Sequence, residues 1–132
     1  MPPKKLLYLG GAITGLSDEQ CNAWREEVVD RIGHIYECLN PMRRDFRGHE
    51  EEHIEEIVTS DLEDIARSHA LIVNGVIPSW GTAMEIYQAY QWGKKTVAIC
   101  HGKVSPWVLR HVTKVVASLD EAIPWLEAWA KE

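Results

Sequence analysis

A chain of 132 residues has the size of one ordinary domain, closed around a single hydrophobic core, so one domain over residues 1–132 is expected. The 20 acidic against 14 basic residues leave a formal charge of −6, and Arg43, Arg44 and Arg47 form the one basic cluster; this excludes the extended basic footprint that long nucleic acid needs. No apolar run approaches the roughly 20 residues that span a bilayer. The first apolar run, 6–9, is also too short for a secretory core and lacks a small-residue cleavage site, so a cytoplasmic protein that does not engage the membrane is expected. Cys21, Cys38 and Cys100 are odd in number and scattered, which reads as reduced, mostly buried thiols rather than a disulfide or zinc framework.

In chain order, β-rich runs at 6–9, 34–39, 70–76, 96–100 and 113–117 alternate with helical patterns. Their near-continuous apolar character suits strands covered on both faces, and helices of about 10 to 18 residues between them suit crossovers in a parallel sheet. Ser17 with Gln20 and Ser118 with Glu121 have capping-box spacing, which predicts helices over 18–31 and 119–130. Asn40-Pro41 ends the second strand, since proline lacks a donor and its predecessor avoids the α region. The expected architecture is α/β, a doubly wound five-stranded parallel sheet of flavodoxin or Rossmann type in the order 2-1-3-4-5. Its topological switch point lies between the first and third strands, where ligands bind. The loops 10–15 and 75–81 arrive there.

The first of these, Gly10-Gly11-Ala12-Ile13-Thr14-Gly15, lets backbone amides approach a ligand without side-chain obstruction. It lacks the lysine and hydroxyl of a phosphate loop, and no acidic residue ends the second strand to grip ribose; a plain strand-to-helix turn is the competing reading. The second, Asn74 to Glu85, joins a strand end to a helix start. It sets Glu85 in a first helical turn, where amide dipoles favour the ionised form that a nucleophile requires. Thr82-Ala83-Met84-Glu85 equally fits a capping box in which Glu85 merely satisfies the Thr82 amide.

The helix before the third strand carries Ile54, Ile57, Val58, Leu62 and Ile65 at helical spacing, with Asp61 near the centre of that stripe and Asp64 at its edge. Asp64 reads as a solvated or ion-paired aspartate. Burial without a cation raises the pKa of Asp61 and suits it to donate a proton; pairing with Arg43 or Arg44 is the alternative. A nucleophilic carboxylate with a second carboxyl able to protonate a leaving group is the minimum equipment for retaining glycosyl transfer.

Tyr8 to Gly15, Asp61-Leu62 with Ile65, and Pro78-Ser79-Trp80-Gly81-Thr82-Ala83-Met84-Glu85 together resemble the nucleoside 2-deoxyribosyltransferase superfamily, which includes nucleoside 5'-monophosphate N-glycosidases. The resemblance runs from the first strand to about Lys95. It implies that Glu85 attacks the sugar C1' to form a glycosyl-enzyme intermediate, that Asp61 assists the departing base, and that Gly11, Ala12 and Ile13 hold the nucleoside. Ser79 matches a serine that contacts the 5'-phosphate in the hydrolases, whereas the transferases carry aspartate there. Thr14 stands where those hydrolases place an arginine, a charge that Arg43, Arg44 or Arg47 could replace. The resemblance also implies a homo-oligomer, dimer or higher, with shared sites. Ser105 corresponds to a serine that reaches a neighbouring subunit's site, but Glu127 to Glu132 hold no counterpart of the aromatic residues that some transferases lend to a neighbour.

Trp80, beside Gly81, is placed to stack on a base, plain packing being the other reading; Trp24, Trp92, Trp107, Trp125 and Trp129 read as core or interface residues. His49 and His53 lie one helical turn apart among glutamates, which reads as a solvated acidic helix start because no third metal ligand follows at suitable spacing. The expected substrate is a nucleoside or nucleotide, with no metal or organic cofactor. A nucleotide-binding module that has lost turnover is the alternative.

Overall fold

The computed structural model describes residues 3–132. Five parallel strands, β1 (Lys5–Gly11), β2 (Tyr36–Leu39), β3 (Ala70–Asn74), β4 (Lys95–Ile99) and β5 (Lys114–Val116), form one sheet in the order β2-β1-β3-β4-β5. Helices α1 (Asp18–Ile32), α2 (Ile54–Arg67), α3 (Trp80–Gln91), α4 (Pro106–His111) and α5 (Leu119–Ala130) make the connections. The doubly wound α/β architecture and its strand order are those expected from the sequence. No helix among the described residues is long and apolar enough to cross a membrane.

Successive strand residues point to opposite faces, so the sheet carries two cores. Leu7 and Leu9 of β1 pack with Ile72, Val97 and Ile99 against Val28 and Ile32 of α1 and Leu126 and Trp129 of α5. Tyr8 of β1 packs with Leu71, Val73 and Ala98 against Ile65 of α2 and Ile86 and Ala89 of α3. Burying one such aliphatic side chain contributes about 1.5–3 kcal/mol, and the two faces together account for the apolar character of the central strands β1, β3 and β4. The Tyr36 hydroxyl meets its polar requirement by donating to Leu126 O at 2.7 Å. Trp129 is thus core, whereas Trp107 is 74% exposed.

Several boundaries depart from expectation for local reasons. β1 continues through Gly10 and Gly11, which pair with Val73 and Asn74 rather than opening the loop. A Cβ at Gly11 would lie 2.7 Å from Trp24 Cζ2, so glycine here permits α1 to pack close rather than freeing a turn. β3 stops at Asn74 because its side-chain oxygen accepts from Val76 N at 3.1 Å and bends the chain away. β2 starts only at Tyr36, since Gly33 and Ile35 still donate to Val29 O and Ile32 O. α4 has six residues rather than ten or more. Residues 40–53 form two 3-10 turns, and Arg47 braces them against the start of α1 by donating to Leu16 O at 3.1 Å and pairing with Asp18 and Asp45.

Candidate active site

β1 and β3 stay paired to their carboxyl ends, Gly11 opposite Asn74, and α3 starts from the loop that follows β3. Ser79 caps α3, its hydroxyl accepting from Thr82 N. The capping box of Thr82 with Glu85 is therefore not formed: Thr82 is buried, and its hydroxyl has no partner. Glu85 accordingly sits in the second turn, not the first, beyond most of the reach of the helix amides. The expectation that amide dipoles keep it ionised fails with that shift. Burial instead pushes the Glu85 carboxyl up to about 8, with the Asp61 charge adding to the rise and the Tyr8 hydrogen bond and Arg25 opposing it.

Tyr8 reaches Glu85 from β1. It is fully buried among Leu71, Val73 and Ile86, and its hydroxyl donates to Glu85 Oε2. A buried phenol needs a partner for its polar end, and this one fixes the carboxylate. Burial and the neighbouring Glu85 push the Tyr8 hydroxyl well above its ordinary range, so it remains a donor. The other oxygen, Oε1, would lie 3.7 Å from a Cβ at Gly10; with glycine there, the backbone of β1 leaves that oxygen uncovered on its side.

Asp61 faces the same centre from α2, close enough to raise both Tyr8 and Glu85 by its charge. Its side chain is 24% exposed and accepts from Arg44 Nη2 at 3.3 Å, so of the two readings the pairing with Arg44 is the one formed, rather than burial without a cation. Burial still raises its carboxyl above the ordinary aspartate value, against the opposing pull of Arg44. Asp64, expected at the edge of the stripe, is 3% exposed. It holds Arg43 at 2.8 Å and Arg44 at 2.7 Å, which makes the pair on α2 an ionic anchor for the loop after β2. Arg44 therefore forks between the two aspartates, and both arginines face carboxylates rather than open crevice.

The other expected ligand-binding residues spread along the rim. Gly11 lies in β1; Ala12 and Ile13 are half-buried, and Thr14 is exposed. Gly81 is exposed, and Trp80 is 92% exposed with no aromatic partner among the described residues. Ser105 caps α4 by accepting from Trp107 N at 3.2 Å. His49 and His53 lie beside Glu52 and Glu56, and among the described residues no group of three or more His, Cys, Asp or Glu side chains is arranged to hold a metal. Cavities of about 450 Å³ beside β2 and about 140 Å³ between α3 and α4 include neither Glu85 nor Asp61; convergent chemistry, not concavity, marks this centre.

Two participants escaped the reading of the sequence. Tyr8 looked like one more apolar position of β1. Arg25 sits in the buried stripe Cys21, Arg25, Val28, Ile32 of α1, and the argument that singled out Asp61 applies to it unchanged: a charge centred on an apolar face requires a reason.

No protein-family model matches the chain, and no curated protein matches it in sequence. Solved structures do match. A 2-deoxyribosyltransferase from Bacillus psychrosaccharolyticus superposes with a TM-score of 0.71 at 16% identity over 89% of both chains. A 2-desoxiribosyltransferase from Leishmania mexicana gives 0.67 at 17% identity over 94% of this chain and 97% of that one. A CMP N-glycosidase from Clostridium botulinum gives 0.57 at 16% identity over 93% and 99%. The fold is that of these structures.

Proposed function

We propose that this chain is a member of the nucleoside 2-deoxyribosyltransferase superfamily that cleaves the N-glycosidic bond of a 2'-deoxynucleoside or its 5'-monophosphate. The observation that carries the reading is the convergence on one crevice edge of Glu85, held by the Tyr8 hydroxyl, with Asp61 opposite it. Ionised Glu85 attacks C1', the bond from C1' to the base nitrogen breaks, and the base leaves with a proton supplied by Asp61. A second base or water then releases the sugar from the ester on Glu85. All the groups the cycle uses are amino-acid side chains, and no cofactor enters it. Gly11, Ala12, Ile13 and Thr14 line the sugar side, with Trp80 and Gly81 on the base side.

Arg43 and Arg44 are bound to Asp64 and Asp61, which supports an unphosphorylated nucleoside; Ser79 at the start of α3 is the remaining contact for a phosphate. Incubating the purified protein with deoxynucleosides and their monophosphates, with and without a second free base, separates the cases by chromatography of the released base. Exchange on deoxynucleosides identifies a transferase, and release from monophosphates alone identifies a nucleotide hydrolase with a phosphate role for Ser79. No release from any member of the panel overturns the enzyme reading in favour of a nucleotide-binding module.

Asp61→Asn is expected to slow the departure of poor leaving bases by tenfold or more beyond its effect on good ones, general acid catalysis being worth about 10²–10⁴ where the base leaves reluctantly. Equal slowing across bases of graded basicity, measured as kcat/KM, contradicts the proton-donor role.

The chain is further proposed to act as a homo-oligomer. Trp80, Met84 and Tyr87 form an exposed stripe on α3, and Trp107 extends it on α4 at 74% exposure; an apolar surface of this extent is characteristic of an interface. Sedimentation at micromolar concentration is expected to give two or more copies per particle, and a monomer overturns the assignment.

A further inference from the structure

β2 ends at Leu39, where Asn40 caps the turn that begins at Pro41. β1 runs three residues further, to Gly11. Leu6 O accepts from His69 N at 2.9 Å and so faces the β3 side. Because backbone groups alternate along a parallel strand, those of Leu9 and Gly11 face the side where β2 has stopped. Two strand carbonyls are left without a strand partner there, at the end of β1 that leads into the crevice.

Arg25 fills this gap. Its Nε donates to Leu9 O at 3.2 Å, its Nη2 to Gly11 O at 3.0 Å, and its Nη1 to Cys21 O of its own helix at 2.7 Å. The guanidinium is fully buried and lies 4.6 Å from the centre of the Trp24 ring. Among the described residues it forms no ion pair within 4.0 Å, unlike Arg31, Arg43, Arg44, Arg47 and Arg67. A neutral amide, with two N–H donors, could meet only two of these three carbonyls, and the guanidinium that meets all three is a buried charge without an adjacent counter-charge, which is costly. Burial lowers its pKa, and the groups that act against this are Tyr8, Cys21, Glu85 and Asp61, three of them in the reaction centre. The geometry is one of two faces of a strand end: a Cβ on Gly11 would lie 3.4 Å from Arg25 Nη2, and one on its neighbour Gly10 would lie 3.7 Å from Glu85 Oε1.

We propose that Arg25 is a positioning residue for the glycosyl-transfer centre: its fork holds the end of β1 in place, and its fixed positive charge stands behind that strand, across it from Glu85. The inference rests on the reading of Glu85 as nucleophile. The groups facing Glu85 are Tyr8 from β1, Arg25 from α1 and Asp61 from α2, the last tied to Arg44 and through it to Asp64 and Arg43. Arg25 is the cation among them whose hydrogen bonds engage no carboxylate.

The test is a carbon-13 titration of glutamate carboxyls in the full chain, with the Glu85 signal identified by its loss in Glu85→Gln. In Arg25→Gln, which keeps a donor and removes the charge, the Glu85 midpoint is expected to rise by about one unit; in Arg25→Lys it is expected to stay near that of the unaltered protein. An unmoved midpoint in Arg25→Gln overturns the proposal, as does the same upward shift in both variants. If Arg25→Gln does not fold, it is combined with Glu85→Gln: recovery of the fold when the carboxylate is removed supports the coupling, and failure to recover contradicts it. The titration requires no turnover. An absence of base release with a shifted midpoint therefore defeats the enzymatic reading alone, and base release with an unmoved midpoint defeats this inference alone.

Discussion

Glu85→Gln is expected to abolish base release, lowering it by about 10⁴-fold or more, as removal of an enzymic nucleophile does, while raising stability in alkaline solution. The two effects have one origin. Burial at the head of the crevice holds the carboxyl in its protonated form up to about 8, against 4.5 for an ordinary glutamate. A group whose folded pKa exceeds its unfolded one supports the fold fully below the lower value, and that support is lost as pH rises through the higher. At pH 9 the native protein carries a buried carboxylate that glutamine does not impose. The melting temperature of Glu85→Gln should therefore exceed that of the unaltered chain by about 3 °C or more at pH 9, and the two should converge near pH 4. Equal melting temperatures at both pH values contradict the burial assigned to Glu85. Retained base release contradicts its role.

The second large effect belongs to Tyr8. Its hydroxyl stabilises the ionised carboxylate against desolvation, and a hydrogen bond to a charged group contributes about 1.5–3 kcal/mol. Tyr8→Phe preserves the ring packing between Leu71 and Ile86 but removes this donor. At pH 7 the rate of base release is expected to fall by about 10- to 100-fold. The acid limb of kcat/KM, expected near 8 in the unaltered protein from Glu85 and belonging to the coupled centre rather than to one group, should move upward. Part of the loss should then be recovered at pH 9. A uniform fall at every pH, with the limb in place, shows that Tyr8 supports packing alone.

The sheet was legible in the sequence because the central strands β1, β3 and β4 are apolar on both faces and the first and last helices start at caps, Ser17 and Ser118. What escaped was set by contacts between distant segments. Gly10 and Gly11 read as loop because a glycine carries no side chain to register a strand, yet Val73 and Asn74 pair with them. Ser79 and Thr82 are both plausible caps three residues apart; the bend that Asn74 imposes after β3 fixed the helix start at the first of them. Asp61 was found by its position in an apolar stripe and Arg44 was named as a possible partner, but the two lie 17 residues apart, and no spacing rule decides between that pairing and burial without a cation. Arg25 was legible by the same rule and was passed over.

Burial raises both carboxyls of the centre, but their direct contacts differ. Arg44 draws Asp61 toward its charged form, whereas Glu85 has only a neutral phenol in contact with it. On the proposed mechanism, Asp61 gives up its bond to Arg44 to carry a proton to the base, and Asp64, which holds Arg44 more closely at 2.7 Å, keeps that arginine in place meanwhile. This division gives Asp64 a supporting role that its buried ion pairs explain without any contact to substrate.

The central claim is that the sugar passes through a covalent bond to Glu85. The direct measurement is mass spectrometry of peptides from protein that has been quenched in acid during turnover of a deoxynucleoside without an acceptor base. A deoxyribosyl adduct on the peptide containing Glu85, absent from Glu85→Gln, is the predicted result. Base release with no adduct on that peptide, or with the adduct on another residue, contradicts it.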